Sequence, residues 1–117
     1  MNKERLTILR DYLLNEVPPD KFSITNWVAD CGTVACAIGH ACNIPSFQKA
    51  GLHLEGKLDP GLSPAYNGNY SWRAVEKFFD LEAYQAAHLF DGEAYPKKYR
   101  TTLLEVVNRL AEYIRSE

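Results

Sequence analysis

Asp30-Cys31-Gly32-Thr33-Val34-Ala35-Cys36-Ala37-Ile38-Gly39-His40-Ala41-Cys42-Asn43 decides how this chain is read. All three cysteines fall in this stretch, together with one of the three histidines. From Thr33 to Cys42 the residues are small or apolar except for Thr33 and His40. That composition predicts a helix over 33–43 packed on most of its sides. Cys31-Gly32-Thr33 supplies turn and cap chemistry ahead of it. Gly39 costs about 1 kcal/mol relative to alanine inside a helix, a cost accepted where another backbone comes very close. Ala35 and Gly39 stand four apart, as do Ala37 and Ala41, so the helix offers nearly bare backbone on two faces.

Working outward, residues 2–16 read as a helix with Leu6, Leu9 and Leu13 as its stripe, ended by Pro18-Pro19. Residues 22–28 begin with alternating apolar positions, as a short strand or an extended approach, and Trp27 reads as a core anchor over the central helix. Pro45 and Gly51 bracket a brief helix. The stretch 53–70 holds Gly56, Pro60, Gly61, Pro64 and Gly68 and few large apolar residues; loops of that length in small domains tend to be functional. Within it, Tyr66-Asn67-Gly68-Asn69-Tyr70 places a tight turn between two tyrosines, compatible with a small hairpin. Ser71 is read as the cap of a helix to Phe79. Asp80 is read as the cap of another, to Phe90, with Leu81, Tyr84, His88 and Leu89 as its face. Thr102-Leu103-Leu104-Glu105 has capping-box spacing and opens the closing helix, to about Arg115. The fold class is therefore mainly α: one domain over 1–117, about five helices around the buried 33–43 helix, with at most a minor β-hairpin.

A chain of 117 residues with 46% hydrophobic and 24% charged residues is globular in composition. A net charge of −2 argues against a general nucleic-acid binder. Lys97-Lys98-Tyr99-Arg100 is too short a basic run to change that and reads as a solvated helix approach. No stretch approaches the ~20 apolar residues of a membrane span, and the N-terminus lacks an apolar signal core. Three clustered cysteines suit reduced thiols better than a disulfide framework. The expected setting is a cytoplasm, and the resemblance described next implies that of a bacterial host.

Trp27, Cys31-Gly32-Thr33-Val34-Ala35-Cys36-Ala37-Ile38-Gly39-His40-Ala41 and, further on, Phe79-Asp80-Leu81-Glu82-Ala83-Tyr84-Gln85-Ala86-Ala87-His88-Leu89-Phe90 resemble a pattern in a family of small uncharacterised proteins of phages and bacteria. The resemblance spans most of the chain, and its ungapped motifs cover about a quarter of it. It implies a phage or prophage context and carries no assigned activity.

Candidate sites follow from chemistry. Cys31 stands just ahead of a helix, where the dipole and free N–H groups stabilise a thiolate; a cysteine hydrolase would pair it with His53 or His88 as base. The plainer reading is a small residue filling a tight turn, and it is preferred. Cys36 and His40 share a helix face and with Cys31 or Cys42 suggest three metal ligands, but zinc sites use short Cys-x2–4-Cys loops and a fourth ligand is wanting, so neither metal nor cofactor is assigned. His40, strongly polar on an apolar helix, should have a hydrogen-bond partner. Tyr66, Asn67, Asn69, Tyr70 and Trp72 form the candidate ligand- or partner-binding set, with His40 added, because tyrosine and tryptophan bring area at low entropy cost and asparagine brings adaptable hydrogen bonds. The expected function is sequestration of a host or phage protein, or of a small molecule, directed against host defence. The alternatives are the Cys31 hydrolase and a structural homo-oligomer, such as a homo-dimer, paired through small-residue helix faces.

Overall fold

The structure, a computed structural model, describes residues 1–25, 27, 34–56 and 62–116. It is mainly α with a minor antiparallel sheet. Helix α1 spans Lys3–Glu16 and is opened by Asn2, whose side chain accepts from the Arg5 N–H at 2.9 Å. Its stripe of Leu6, Leu9 and Leu13 is fully buried. The closing helix α6, Leu103–Arg115, starts at the expected capping box: the Glu105 N–H donates to Thr102 Oγ1 at 3.2 Å and the Thr102 N–H to Glu105 Oε1 at 2.9 Å. Lys3, at the start of α1, bonds Ser116 just past the end of α6, so these packed helices run antiparallel.

The central helix is shorter than its composition predicts. Helix α2 covers Ala37–Ala41 and not 33–43. Ala35 is held in an extended bridge to Phe22, its N–H donating to Lys21 O at 3.1 Å and its carbonyl accepting from Ser23 at 3.0 Å. Small residues fit strand and helix alike, so backbone pairing decides, and Cys36 with ψ 179° becomes the cap. Thr33 lies outside the described residues. Burial matches the expectation, with every residue from Ala35 to Cys42 buried. Gly39 is where backbone meets backbone. A Cβ there would sit 1.7 Å from the Trp27 carbonyl oxygen.

Helix α3, Pro45–Lys49, buries Phe47 and leads through Gly51, at φ +110°, into the sheet. Strands β1 (His53–Glu55), β2 (Ser63–Tyr66) and β3 (Asn69–Tyr70) pair in that order, all antiparallel. The predicted turn is present: Asn67 and Gly68 both have positive φ, 54° and 83°, as the two central positions of a type I′ hairpin require. Helix α4, Trp72–Phe79, buries Ala74, Val75, Phe78 and Phe79. Phe47 meets Phe78 and Phe79 edge-on, with centroids 4.8 and 5.9 Å away.

Two expectations around α5, Ala83–Phe90, need correction. Asp80 does not open this helix; it closes α4 in a left-handed conformation, φ 55°, and Glu82 is the cap that precedes Ala83. The buried face of α5 is Ala86, Leu89 and Phe90, whereas Tyr84 and His88 are exposed. Phe90 decides this rotation, because it docks on Phe79 at 5.8 Å and brings more apolar area than a tyrosine edge. Among the described residues, no helix is long and apolar enough to cross a membrane.

Candidate functional site

Register places the hairpin side chains. Residues directly opposite across an antiparallel ladder share a face. His53, Glu55, Ser63, Ala65 and Tyr70 therefore lie on one face of the sheet, and Leu54, Pro64, Tyr66 and Asn69 on the other. Both faces are partly covered: Ser63 and Ala65 are buried on the first, while Leu54 and Tyr66 on the second pack against the core. Tyr66 stands edge-on to Phe78 at 5.0 Å, under the Arg5 guanidinium at 5.9 Å. Arg5 is itself anchored by donating to the Phe78 carbonyl at 2.8 Å. Trp72 meets Trp27 edge-on at 5.1 Å. The Asn69 amide reaches back toward Tyr66 O at 3.4 Å, while Asn67 and Gly68 stand exposed at the tip. The predicted binding set is thus brought together, but with unequal parts: Tyr66 and Trp72 are half-buried buttresses, Asn69 and Tyr70 are half-buried too, and Asn67 is the residue of the set that is fully exposed.

His40 lies apart from the hairpin set. It is buried, and its Nε2–H donates to Lys21 O at 2.7 Å, the expected partner. Burial lowers its pKa below the ordinary 6.5, against the backbone carbonyls that favour the charged form. His40 therefore ties the bridge segment to α2.

Of the hydrolase candidates, Cys31 lies outside the described residues. His53 donates from Nδ1 to Gly51 O at 2.9 Å and from Nε2 to Glu55 at 2.5 Å. Its bond to Glu55 raises its pKa. Both ring nitrogens are thus engaged within the β1 segment. His88 bonds the Tyr113 hydroxyl through Nδ1 at 2.8 Å. Burial raises the thiol pKa of Cys36 to about 11 and that of Cys42 to about 12, the range of inert structural thiols. No group of three or more His, Cys, Asp or Glu side chains among the described residues could hold a metal ion. The small-residue faces of α2 are used within the chain, the Gly39 face by the Trp27 backbone, so a homo-oligomer would have to pair elsewhere.

A second surface escaped the sequence reading. Between α6 and the turn that follows α5 lies a groove of about 210 Å³ bounded by Tyr95, Pro96, Glu105, Asn108, Arg109 and Glu112. Tyr84, 73% exposed, and the His88–Tyr113 pair are not among the residues that line it. The signal was surplus. Helix α5 already has an apolar stripe in Ala86, Leu89 and Phe90, so Tyr84 and His88, four apart, were left over for the outside.

Comparison with protein-family models, curated proteins and solved structures gives no match.

Proposed function

We propose that this is a non-enzymatic binding protein, a small phage-type accessory factor that sequesters a partner protein or a small ligand and so counters a host defence. The observation that carries the reading is the exposed Asn67-Gly68 turn set on a locked aromatic base, Tyr66 against Phe78 and Trp72 against Trp27. A turn held in this way loses little conformational freedom on binding, which is how preorganised loops gain affinity. The phage context rests on the resemblance of Trp27 and residues 31–41 to small phage and bacterial proteins. The pairing of His53 with both Gly51 and Glu55 weighs against a Cys31 hydrolase that would use it as base.

Native mass spectrometry of the chain recovered from a phage-infected host tests the proposal, run beside Asn67→Gly with Asn69→Ala. Glycine keeps the positive φ at 67, so the double variant removes both amides with little backbone strain. The expected result is a companion mass in fixed ratio on the wild-type chain, lost from the variant at an unchanged melting temperature. A chain that carries nothing, and whose Cys31 alone is labelled by iodoacetamide near pH 6, would replace this reading with the hydrolase.

A further inference from the structure

We infer that Asn67 is a self-modification site: its side-chain amide is displaced by the Gly68 backbone nitrogen, leaving aspartate or isoaspartate at the hairpin tip. The inference is independent of what the tip binds. Asn67 is the one asparagine of the chain that is followed by glycine. The Gly68 nitrogen, once solvent hydroxide has taken its proton, attacks Asn67 Cγ. The N–Cγ bond forms, the Cγ–Nδ2 bond breaks, and ammonia leaves with a proton returned by solvent. Water then opens the resulting succinimide ring. Opening at Cγ gives aspartate. Opening at the backbone carbonyl gives isoaspartate, with the chain now routed through the side chain. Water enters and ammonia departs, and nothing is oxidised or reduced.

Both reacting groups are open to this step. Asn67 and Gly68 are exposed. Among the described residues, neither the Asn67 side chain nor the Gly68 N–H takes part in a hydrogen bond. A Cβ built at Gly68 would meet nothing within 4 Å, so that side of the nucleophile is unshielded. Asp91-Gly92 is the contrast. The Asp91 side chain is held by accepting from the Glu93 N–H at 3.0 Å, and a Cβ at Gly92 would lie 3.2 Å from the Ile24 side chain.

The turn that favours Asn-Gly is also the brake on the reaction. Positive φ at both positions, 54° and 83°, sets the type I′ geometry, and the pairing of Tyr66 with Asn69 closes it. The side chain must swing over the Gly68 nitrogen, a rotation about the Asn67 backbone that the paired strands oppose. Conversion therefore proceeds through local opening of the tip. Aspartate keeps the turn, because Asp-Gly suits the same geometry. Isoaspartate breaks it. The backbone between 67 and 68 gains a methylene, and the Asn69 amide loses its places near Tyr66 O at 3.4 Å and Asn67 O at 3.5 Å. Either product adds a negative charge to a chain of net charge −2.

The test incubates the full chain in H₂¹⁸O at mildly alkaline pH. Intact mass follows the conversion, and peptide mapping with electron-transfer fragmentation tells isoaspartate from aspartate. The expected result is an amide-to-acid mass gain that carries heavy oxygen, at position 67 before any other asparagine. It should accelerate as pH rises and accelerate further in urea, where the turn is absent. Asn67→Gly keeps the positive φ, so it should stay folded and lose the fast mass gain. Amide resonances of residues 66–70 should move in the isoaspartate product and stay near their places in the aspartate product. Another asparagine converting first, a mass gain at the wild-type rate in Asn67→Gly, or a folded chain that stays unmodified while the urea-treated chain converts would each overturn the inference. Equal rates in the folded and urea-treated chains would overturn the role of the turn as brake.

Discussion

Tyr66 and Tyr84 are the same residue put to opposite uses. Tyr66 comes from a stretch dense in glycine and proline, yet its ring is wedged between Phe78, Arg5 and Gly51. Tyr84 comes from an apolar helix, yet it is 73% exposed. Local composition suggests the reverse in both cases. Burial is decided by what competes for the core: the hairpin has no larger residue to offer on its inner face, whereas α5 has Leu89 and Phe90.

The sharpest way to break this contrast is to remove the floor under the hairpin. Trp72 leans on Trp27, and the Trp27 carbonyl occupies the space a side chain at Gly39 would need. Gly39→Ala gains about 1 kcal/mol of helix propensity but drives a methyl to 1.7 Å from that oxygen. Backbone cannot yield as a flexible side chain does, so the net expected loss is about 3 kcal/mol or more, read from chemical denaturation. An unchanged or raised melting temperature would mean that the Trp27 segment shifts freely, and the central-helix account would fail.

Next in size is Tyr66→Ala. Truncating a buried aromatic costs ~3–5 kcal/mol; Tyr66 is half-buried, so about 2–3 kcal/mol is expected, as a lower urea midpoint at constant slope. A loss below about 0.5 kcal/mol would make the ring a surface group after all, and the hairpin tyrosines would return to the recognition set.

Two histidines extend the contrast to pH. His40 has a folded pKa below 6.5 through burial, so the unfolded chain binds the proton more readily. Its contribution is therefore complete above 6.5 and is lost as pH falls through the lower folded value. His53 has the opposite sign: its bond to Glu55 raises the folded pKa, so that stabilisation is present below 6.5 and is lost as pH rises through the folded value. Its side chain is 50% exposed, which screens the pair and leaves the effect small. Thermal melts between neutral and mildly acidic pH should show wild type losing more stability than His40→Gln, with His53→Gln close to wild type. If acid spared wild type and not His40→Gln, burial of a neutral His40 would be refuted.

Much of the architecture was legible because it rests on local chemistry. Thr102 and Glu105 announce a helix start, Leu6, Leu9 and Leu13 a buried stripe, and Asn67-Gly68 a turn that needs two positive φ values. Gly39 could be read as a close approach, though not what approaches it. The missed features depend on partners distant in sequence. Ala35 leaves the helix because Lys21 and Ser23 claim its backbone, and α5 rotates because Phe79 claims Phe90. The groove was illegible for the same reason: Arg109 and Tyr95 meet only once α6 packs on the turn after α5, and a lone arginine on an amphipathic helix reads as a solvated charge.

The smallest stability effect belongs to Tyr84→Ala, and it separates packing from recognition. Tyr84 is 73% exposed, and α5 keeps its buried stripe of Ala86, Leu89 and Phe90 without it. Alanine is also the better helix former, by a few tenths of a kcal/mol. Lost surface contacts near Tyr113 act in the other direction, so the net change should fall within about 0.5 kcal/mol. Differential scanning calorimetry of Tyr84→Ala beside Tyr66→Ala checks both sides of the contrast at once. A Tyr84 variant as damaged as the Tyr66 one would show that the outward ring stabilises α5 against α6. A Tyr84 variant that melts with wild type leaves that ring free of any structural duty, as its exposure implies.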